Sequence, residues 1–431
     1  MPPSLPAQTD VAIVGAGMAG LAAARLLTAR NRQVVILEAR NRIGGRAWTD
    51  TERLGLPVDL GAAKLHSADI NPLVVELRRR AAAMQADDGD FWLFDRGNGK
   101  GREASALDYE ALARLYDRID AALIDAKILH KDIALPRQVT LDAPGAGARW
   151  IDTARALAGP LNVGVAFDQV SAFDAPRLSG TGNDVWLPGG LGAWLNSYAE
   201  NLPVFLSHPV SRIDWGGDFV TLATAAGELR AAACIVTVPV GVLAGEGMVF
   251  QPALPAAQRA ALRRLSMGQI ERIALRYQPG SFEAPANTQA ILRVGTDADD
   301  RHAVLFHLNA QAQPLAVATI GGATAARFAG QGEAAMVDMA RARLKTMLGG
   351  DIDRRFIGGI ASGWSADPFS RGAVSVAPPG QAAARSAAGR APRQQLFFAG
   401  EAFAPANWTG SIAGAWLSGR EVAAQVLRVL G

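Results

Sequence analysis

The sequence predicts an α/β fold, α+β over the whole chain. A Rossmann-like nucleotide-binding domain is interrupted by a discontinuous second domain of helices and mixed or antiparallel sheet. Three observations predict this. Residues 10–38 run strand, G-x-G-x-x-G, helix, strand, acid. A glycine- and arginine-rich segment, R-x-G-G-R, follows at once. Further nucleotide-binding pieces recur in the middle and at the end, separated by segments of other patterning. At 431 residues the chain is too long for one compact core and suits two domains.

The elements follow in order. Val11 to Val14 form an apolar run that reads as a buried parallel strand. It leads into Gly15, Gly17 and Gly20: the first for a tight turn, the second for close approach to a pyrophosphate, the third for helix–sheet packing. The helix that follows aims its free N–H groups at the anion. A second buried strand, Val34 to Leu37, ends in Glu38, placed for a ribose hydroxyl. Arg42, Gly44, Gly45 and Arg46 then suit a second approach to a diphosphate, with guanidinium groups supplying charge-assisted bonds. This extension resembles the signature of FAD proteins of the glutathione-reductase-like superfamily.

Residues 76–186 are helix-patterned, most clearly over 106–129. Near 187–210 a glycine turn, a helix and a strand ending in Val210 are expected. Strand character continues to Pro239. Residues 263–372 alternate in strand fashion, with one helix near 333–348. The tail opens on LFFAGE (396–401), a strand returning to the nucleotide, and closes on a helix over 411–429. The expected division is a nucleotide domain of 7–75, 187–262 and 373–431, and a substrate domain of 76–186 and 263–372.

Composition narrows the function classes. Hydrophobic residues make up 49% and charged residues 19%, so the chain is globular. The net charge is +3 with scattered arginines, and the run Arg78–Arg80 reads as a solvated helix face, so no nucleic-acid partner is expected. One cysteine and five scattered histidines give neither a disulfide nor a metal cluster. The N-terminal segment lacks a signal-peptide pattern, and the apolar stretch 231–245 is too short to span a bilayer. No membrane partner and a cytoplasmic location are therefore expected. The oligomeric state is left open, with a homodimer allowed.

Taken together, VGAGMAGLAAARLL, LEARNRIGGRAWT, DLGAAKLHS (59–67), LPGGLGAW (187–194), TVPVGVL (237–243), GWSADPFSRGA (363–373) and FAGEAFAPANWTGSIAGAWLSG (398–419) resemble the flavin-containing amine oxidase family, which includes monoamine oxidases, polyamine oxidases and lysine-specific histone demethylases. The resemblance spans about 10–428. It implies FAD, with Glu38, Arg40, Arg46, Gly400 and Glu401 at its ribose and pyrophosphate. It also implies a Val210 backbone contact to adenine, Trp364 against the flavin ring and the Ile412 N–H at the pyrimidine end.

Four departures shape the expected chemistry. Ala373 stands where monoamine oxidases carry the cysteine that tethers flavin, so FAD is expected to be non-covalent. Trp408 matches one of two aromatic rings that frame the substrate, while Val374 replaces the other. Arg272 stands where the family has a lysine that holds a water at flavin N5; the alternative is a solvent-facing strand residue. Lys64 stands where amino-acid oxidases place a carboxylate-binding arginine; the alternative is an exposed strand lysine. His66, two residues on, shares its strand face and is expected to line the pocket.

The resemblance implies oxidation of a small or polyamine-like amine, with hydride transfer to flavin N5, imine hydrolysis, and reoxidation by oxygen to hydrogen peroxide. The rivals are an amino-acid oxidase or monooxygenase that uses Lys64 on a substrate carboxylate, and a flavin dehydrogenase that does not use oxygen.

Overall fold

The computed structural model describes residues 5–97, 100–142, 145–176, 180–295 and 302–431. Its largest sheet has eight strands. In order across the sheet they are Val204–Phe205, Val34–Leu37, Gln8–Val14, Gly227–Val236, Val220–Thr224, Arg212–Asp214 and Val249–Gln251, with Leu396–Phe398 also pairing to Gly227–Val236. The strands at its centre are parallel, and their register brings Val14 beside Leu37 and Val236, and Val236 beside Phe398.

Two cores form on this sheet because alternate side chains point to opposite faces. Val11, Ile13, Val34, Ile36, Ala233 and Ile235 face one cluster with the helices Met18–Thr28 and Ile412–Leu430. Ala12, Val14, Val35, Leu37, Cys234 and Val236 face the other. Burial on both faces explains why these strands read as continuous apolar runs.

A second sheet of seven strands runs in the order Phe356–Ala361, Ile270–Tyr277, Leu315–Gly321, Leu305–Leu308, Thr288–Leu292, Phe91–Asp95 and Arg102–Glu103. Its pairs are antiparallel except Thr288–Leu292 with Phe91–Asp95. Ile273, Leu275, Phe306, Leu308, Ala316, Ala318 and Ile320 face a core with the helix Glu333–Leu348. The alternate positions, among them Arg272 and His307, face the other way. The helix Ala106–Ile128 heads a separate cluster beside this sheet.

The sequence pattern misses the short strands Gln85–Ala86, Arg102–Glu103 and Val185–Trp186 and misplaces three further elements. The strand Phe91–Asp95 lies inside a stretch read as helical, because five residues are too few to show a period against long flanking helices. The strand expected to end at Val210 stops at Phe205, before Pro209. A helix at Gly322–Gln331 precedes the expected one; its glycine ends and alanine content hide its periodicity.

Candidate functional site

The parallel register aligns the C-terminal ends of the central strands, so the segments that leave them share one edge. Open α/β sheets bind ligands at such an edge. The Gly15 N–H donates to the Leu37 carbonyl at 2.8 Å, Thr237 N to Val14 O at 2.9 Å, and Ala399 N to Val236 O at 3.0 Å. Gly15, Glu38, Thr237 and Gly400 are thereby brought together.

The glycine turn has the shape of a cradle. Gly15 takes φ +104°, a region that disfavours side chains. A Cβ at Gly20 would lie 2.0 Å from the Gly15 carbonyl oxygen, which locks the helix Met18–Thr28 against the turn. A Cβ at Gly17 would instead enter open space. Gly17 is the N-cap of that helix and supplies no side-chain cap, leaving its first N–H groups for a ligand. Gly44 N donates to Ala16 O at 2.9 Å, folding the second glycine pair, Gly44 and Gly45, against the first.

Charged side chains surround this turn. Glu38 is 4% exposed and accepts from Ala16 N at 2.8 Å and Arg40 N at 2.9 Å. Arg40 is committed to Asp367 at 2.6 Å and the Ser370 hydroxyl at 2.8 Å. Arg46 donates to Glu401 at 2.8 Å and to the Ala373 carbonyl at 3.0 Å. Burial opposes the charge on Glu401, but Arg46, Arg385 and the Ser375 hydroxyl outweigh it and hold its carboxyl below the usual range. Arg42 differs: among the described residues its guanidinium donates to the carbonyls of Ile43 and Gly45 and lies over the Trp48 ring, 4.7 Å from its centroid. Burial, with Arg40 nearby, lowers its pKa to about 10. An open backbone cradle beside a part-buried cation with no carboxylate partner among the described residues fits a diphosphate.

Trp364 and Arg272 meet at one segment. The Trp364 indole N–H donates to Leu60 O at 2.8 Å, and Arg272 Nε donates to Asp59 O at 3.0 Å. Trp364 is 4% exposed and packs edge-on to Trp48, with ring centroids 6.2 Å apart. Glu271, fully buried, accepts from Trp364 N at 3.0 Å, from Ser365 N at 2.8 Å and from the Ser362 hydroxyl. Arg272 is part-buried and lines a cavity, so the solvent-facing alternative is corrected; burial lowers its pKa against the attraction of Asp59 and Asp87.

Arg272 lines a cavity of about 60 Å³ together with Lys64, Asp87, Trp186, His307 and Gln311. Lys64 Nζ lies 2.6 Å from Asp87 and 3.4 Å from Asp184, so it is neither a free surface lysine nor a free carboxylate receptor. His66 reaches Asp184 at 2.7 Å with its side chain 65% exposed. The expectation that it lines the pocket is corrected: the strand Lys64–Leu65 ends before His66, and Ser67 turns the chain at φ +53°. Trp408 does not join this cavity either. It closes the short turn Ala406–Trp408 and packs on the core under the first sheet.

Val210 is 9% exposed within the second core, and Ile412 opens the C-terminal helix, whose N-cap Ser411 accepts from Gly414 N at 3.0 Å. Gly400 N donates to the Ser418 hydroxyl at 3.1 Å. Cys234 is fully buried in the first sheet, and burial pushes its thiol pKa up. A larger cavity of about 550 Å³, lined by Phe397, Phe403 and Glu421 among others, includes neither the glycine turn nor Arg272. Among the described residues no helix is long and apolar enough to cross a membrane.

Sequence reasoning missed His307, Asp87, Asp184, Asp59 and Trp186. The one signal available was His307, a polar residue at an alternate position of the apolar strand Leu305–Leu308.

A family model for flavin containing amine oxidoreductases matches residues 18–427. Polyamine oxidase 4 of Oryza sativa subsp. japonica is 29% identical over 95% of this chain and 87% of its own length. Lysine-specific histone demethylase 1 homolog 1 from the same organism is 28% identical over 99% of this chain and 53% of its own length. A solved structure of wild-type putrescine oxidase bound to putrescine matches with a TM-score of 0.80 at 21% identity, covering 99% of this chain and all of that one, a likeness of fold.

Proposed function

The chain belongs to the flavin-containing amine oxidoreductase family and is an FAD-dependent amine oxidase; from that premise we propose that it oxidises a small primary or secondary amine to an imine. Water then hydrolyses the imine to an aldehyde or ketone, and oxygen accepts the electrons to give hydrogen peroxide. The observation that carries this reading is the shared anchoring of Trp364 and Arg272 on the 59–60 carbonyls, next to the nucleotide edge. Bound FAD supplies the redox chemistry, taking the hydride from the carbon beside the amine nitrogen.

The rest is the work of this chain's residues. The unit built on the eight-stranded sheet, from 7–75, 187–262 and 373–431, holds the dinucleotide. Segments 76–186 and 263–372 supply the substrate side. The helix N-terminus after Gly17, with Arg42, would hold the pyrophosphate, and Glu38 would take the ribose. Arg46 and Glu401 hold the segment around Ala373 and Ser375 in place. Ala373 offers no thiol and Cys234 lies buried in the sheet, which supports non-covalent FAD. Trp364 packs where it excludes water from the ring. Arg272 uses only Nε on the protein among the described residues, leaving its amino groups for a bound water. A part-buried guanidinium also favours the neutral amine, the form that releases hydride.

The carboxylate-binding rival loses its support, because the Lys64 ammonium is already paired with Asp87 and Asp184. Incubation of the FAD-loaded protein with an amine panel in air tests the proposal. Aldehyde and hydrogen peroxide should form in equal amounts. Aldehyde without peroxide would assign a different electron acceptor, and turnover of amino acids alone would refute the amine reading.

A further inference from the structure

Lys64 reaches the amine cavity, yet its charge is already spent on protein. Its Nζ lies between two carboxylates, 2.6 Å from Asp87 Oδ2 and 3.4 Å from Asp184 Oδ2. Asp87 lines the same cavity with its side chain 7% exposed; Asp184, 21% exposed, does not line it but is the second carboxylate within reach of the ammonium. Asp184 also meets His66 Nδ1 at 2.7 Å and accepts from Ser67 N at 3.0 Å. Two part-shielded carboxylates beside an amine cavity are what the far ammonium of a diamine would seek. In this chain the protein provides that cation itself.

The inner end offers no substitute. Arg272 is a second, part-buried cation. The nearby Asp59 carboxyl accepts from Thr49 Oγ1, Leu191 N and Gln311 Nε2. Burial moreover holds it above the usual carboxylate range. His307, on the same wall, is kept neutral chiefly by burial and further by the Arg272 and Lys64 charges.

We propose that Lys64 is a specificity-determining residue: its ammonium fills the anionic position between Asp87 and Asp184, so the site takes amines with one nitrogen and rejects those carrying a second ammonium. A diamine must either bring its far charge beside Lys64 and Arg272 or displace Lys64 from both carboxylates. Either route raises the energy of the diamine complex alone, which is discrimination by repulsion. This inference rests on the amine-oxidase reading.

The test is anaerobic flavin reduction by n-butylamine and by butane-1,4-diamine, which share a carbon chain. In the wild type the monoamine should be favoured in reduction rate over dissociation constant by about tenfold or more. Lys64→Met keeps an unbranched stem without the charge and should shift that ratio toward the diamine by about tenfold or more. Lys64→Arg keeps the charge and should keep the monoamine preference. A wild type that prefers the diamine, or a ratio unmoved in Lys64→Met, overturns the inference. If Lys64→Met does not retain FAD, the wild-type ratio decides alone. If neither these compounds nor longer amines reduce the flavin, the amine reading itself falls.

Discussion

At Arg42 the protein holds a part-buried guanidinium whose hydrogen-bond partners are two main-chain carbonyls. Its pKa is lowered to about 10 from 12.5, chiefly by burial. The sign follows. The unfolded chain holds this proton more tightly, so below pH 10 the charge costs the FAD-free protein stability, and the cost fades as pH rises between the two values. An anion in the cradle removes that cost. Arg42→Met should therefore raise the melting temperature of the FAD-free protein while weakening FAD binding by about 10- to 100-fold, the worth of one charge-assisted hydrogen bond. Equal FAD affinity in variant and parent, by fluorescence titration, would remove Arg42 from the site. His307 gives a second expectation. Its folded pKa lies well below 6.5, because burial, Arg272 and Lys64 all disfavour the charged ring. The stability tied to the neutral ring is present above pH 6.5 and is lost as pH falls below it, where the unfolded ring alone takes a proton. Denaturant titrations in acid should show His307→Phe losing less stability than the parent over that window. At this scale the sequence was legible where partners are local. Gly17, Glu38 and Arg42 belong to one contiguous stretch, and the Ala16–Glu38 and Gly44–Ala16 hydrogen bonds gather it at one sheet edge. Asp87, Asp184 and Lys64 meet only because Lys64 and Gln85 both pair with Trp186, and no local pattern announces such pairing.

Two helices fix the cradle from behind. The C-terminal helix, Ile412–Leu430, crosses Met18–Thr28 so closely that a Cβ at Gly419 would lie 2.1 Å from the Ala19 carbonyl oxygen. Because Met18–Thr28 presents its N-terminus to the nucleotide, pressure at Gly419 should reach the cofactor. Gly419→Ala is expected to destabilise by about 1–3 kcal/mol through overpacking and to lower FAD occupancy. Gly330→Ala, in the helix Gly322–Gln331 with open space at its Cβ, should be neutral or stabilising by about 0.5–1 kcal/mol. Denaturant unfolding and flavin content of both variants check the pair, and a Gly419→Ala protein as stable and as yellow as the parent would contradict it. The C-terminal helix was legible to within a residue because its apolar stripe is long and regular. Phe91–Asp95 was not: pairing with Thr288–Leu292, nearly 200 residues away, is what makes it a strand.

The chemistry carried by the two largest sheets meets at one short segment. The Asp59 and Leu60 carbonyls accept from Arg272 and Trp364, residues carried by or adjoining the second sheet. Glu271 ties those two residues to each other through Ser362 and the Trp364 and Ser365 N–H groups. Motifs spread from the start to the end of the chain made the family resemblance legible. The meeting point was not, because its carbonyl acceptors carry no side-chain signature. The central claim is that this junction is where an amine gives up its hydride. Rapid anaerobic mixing of FAD-loaded protein with saturating n-butylamine, followed through the oxidised-flavin absorbance, tests it most directly. The account predicts complete, saturable bleaching in the parent and a reduction rate at least about tenfold lower in Trp364→Ala reloaded with FAD. Flavin that stays oxidised with every amine, or equal bleaching rates in parent and variant, would contradict it.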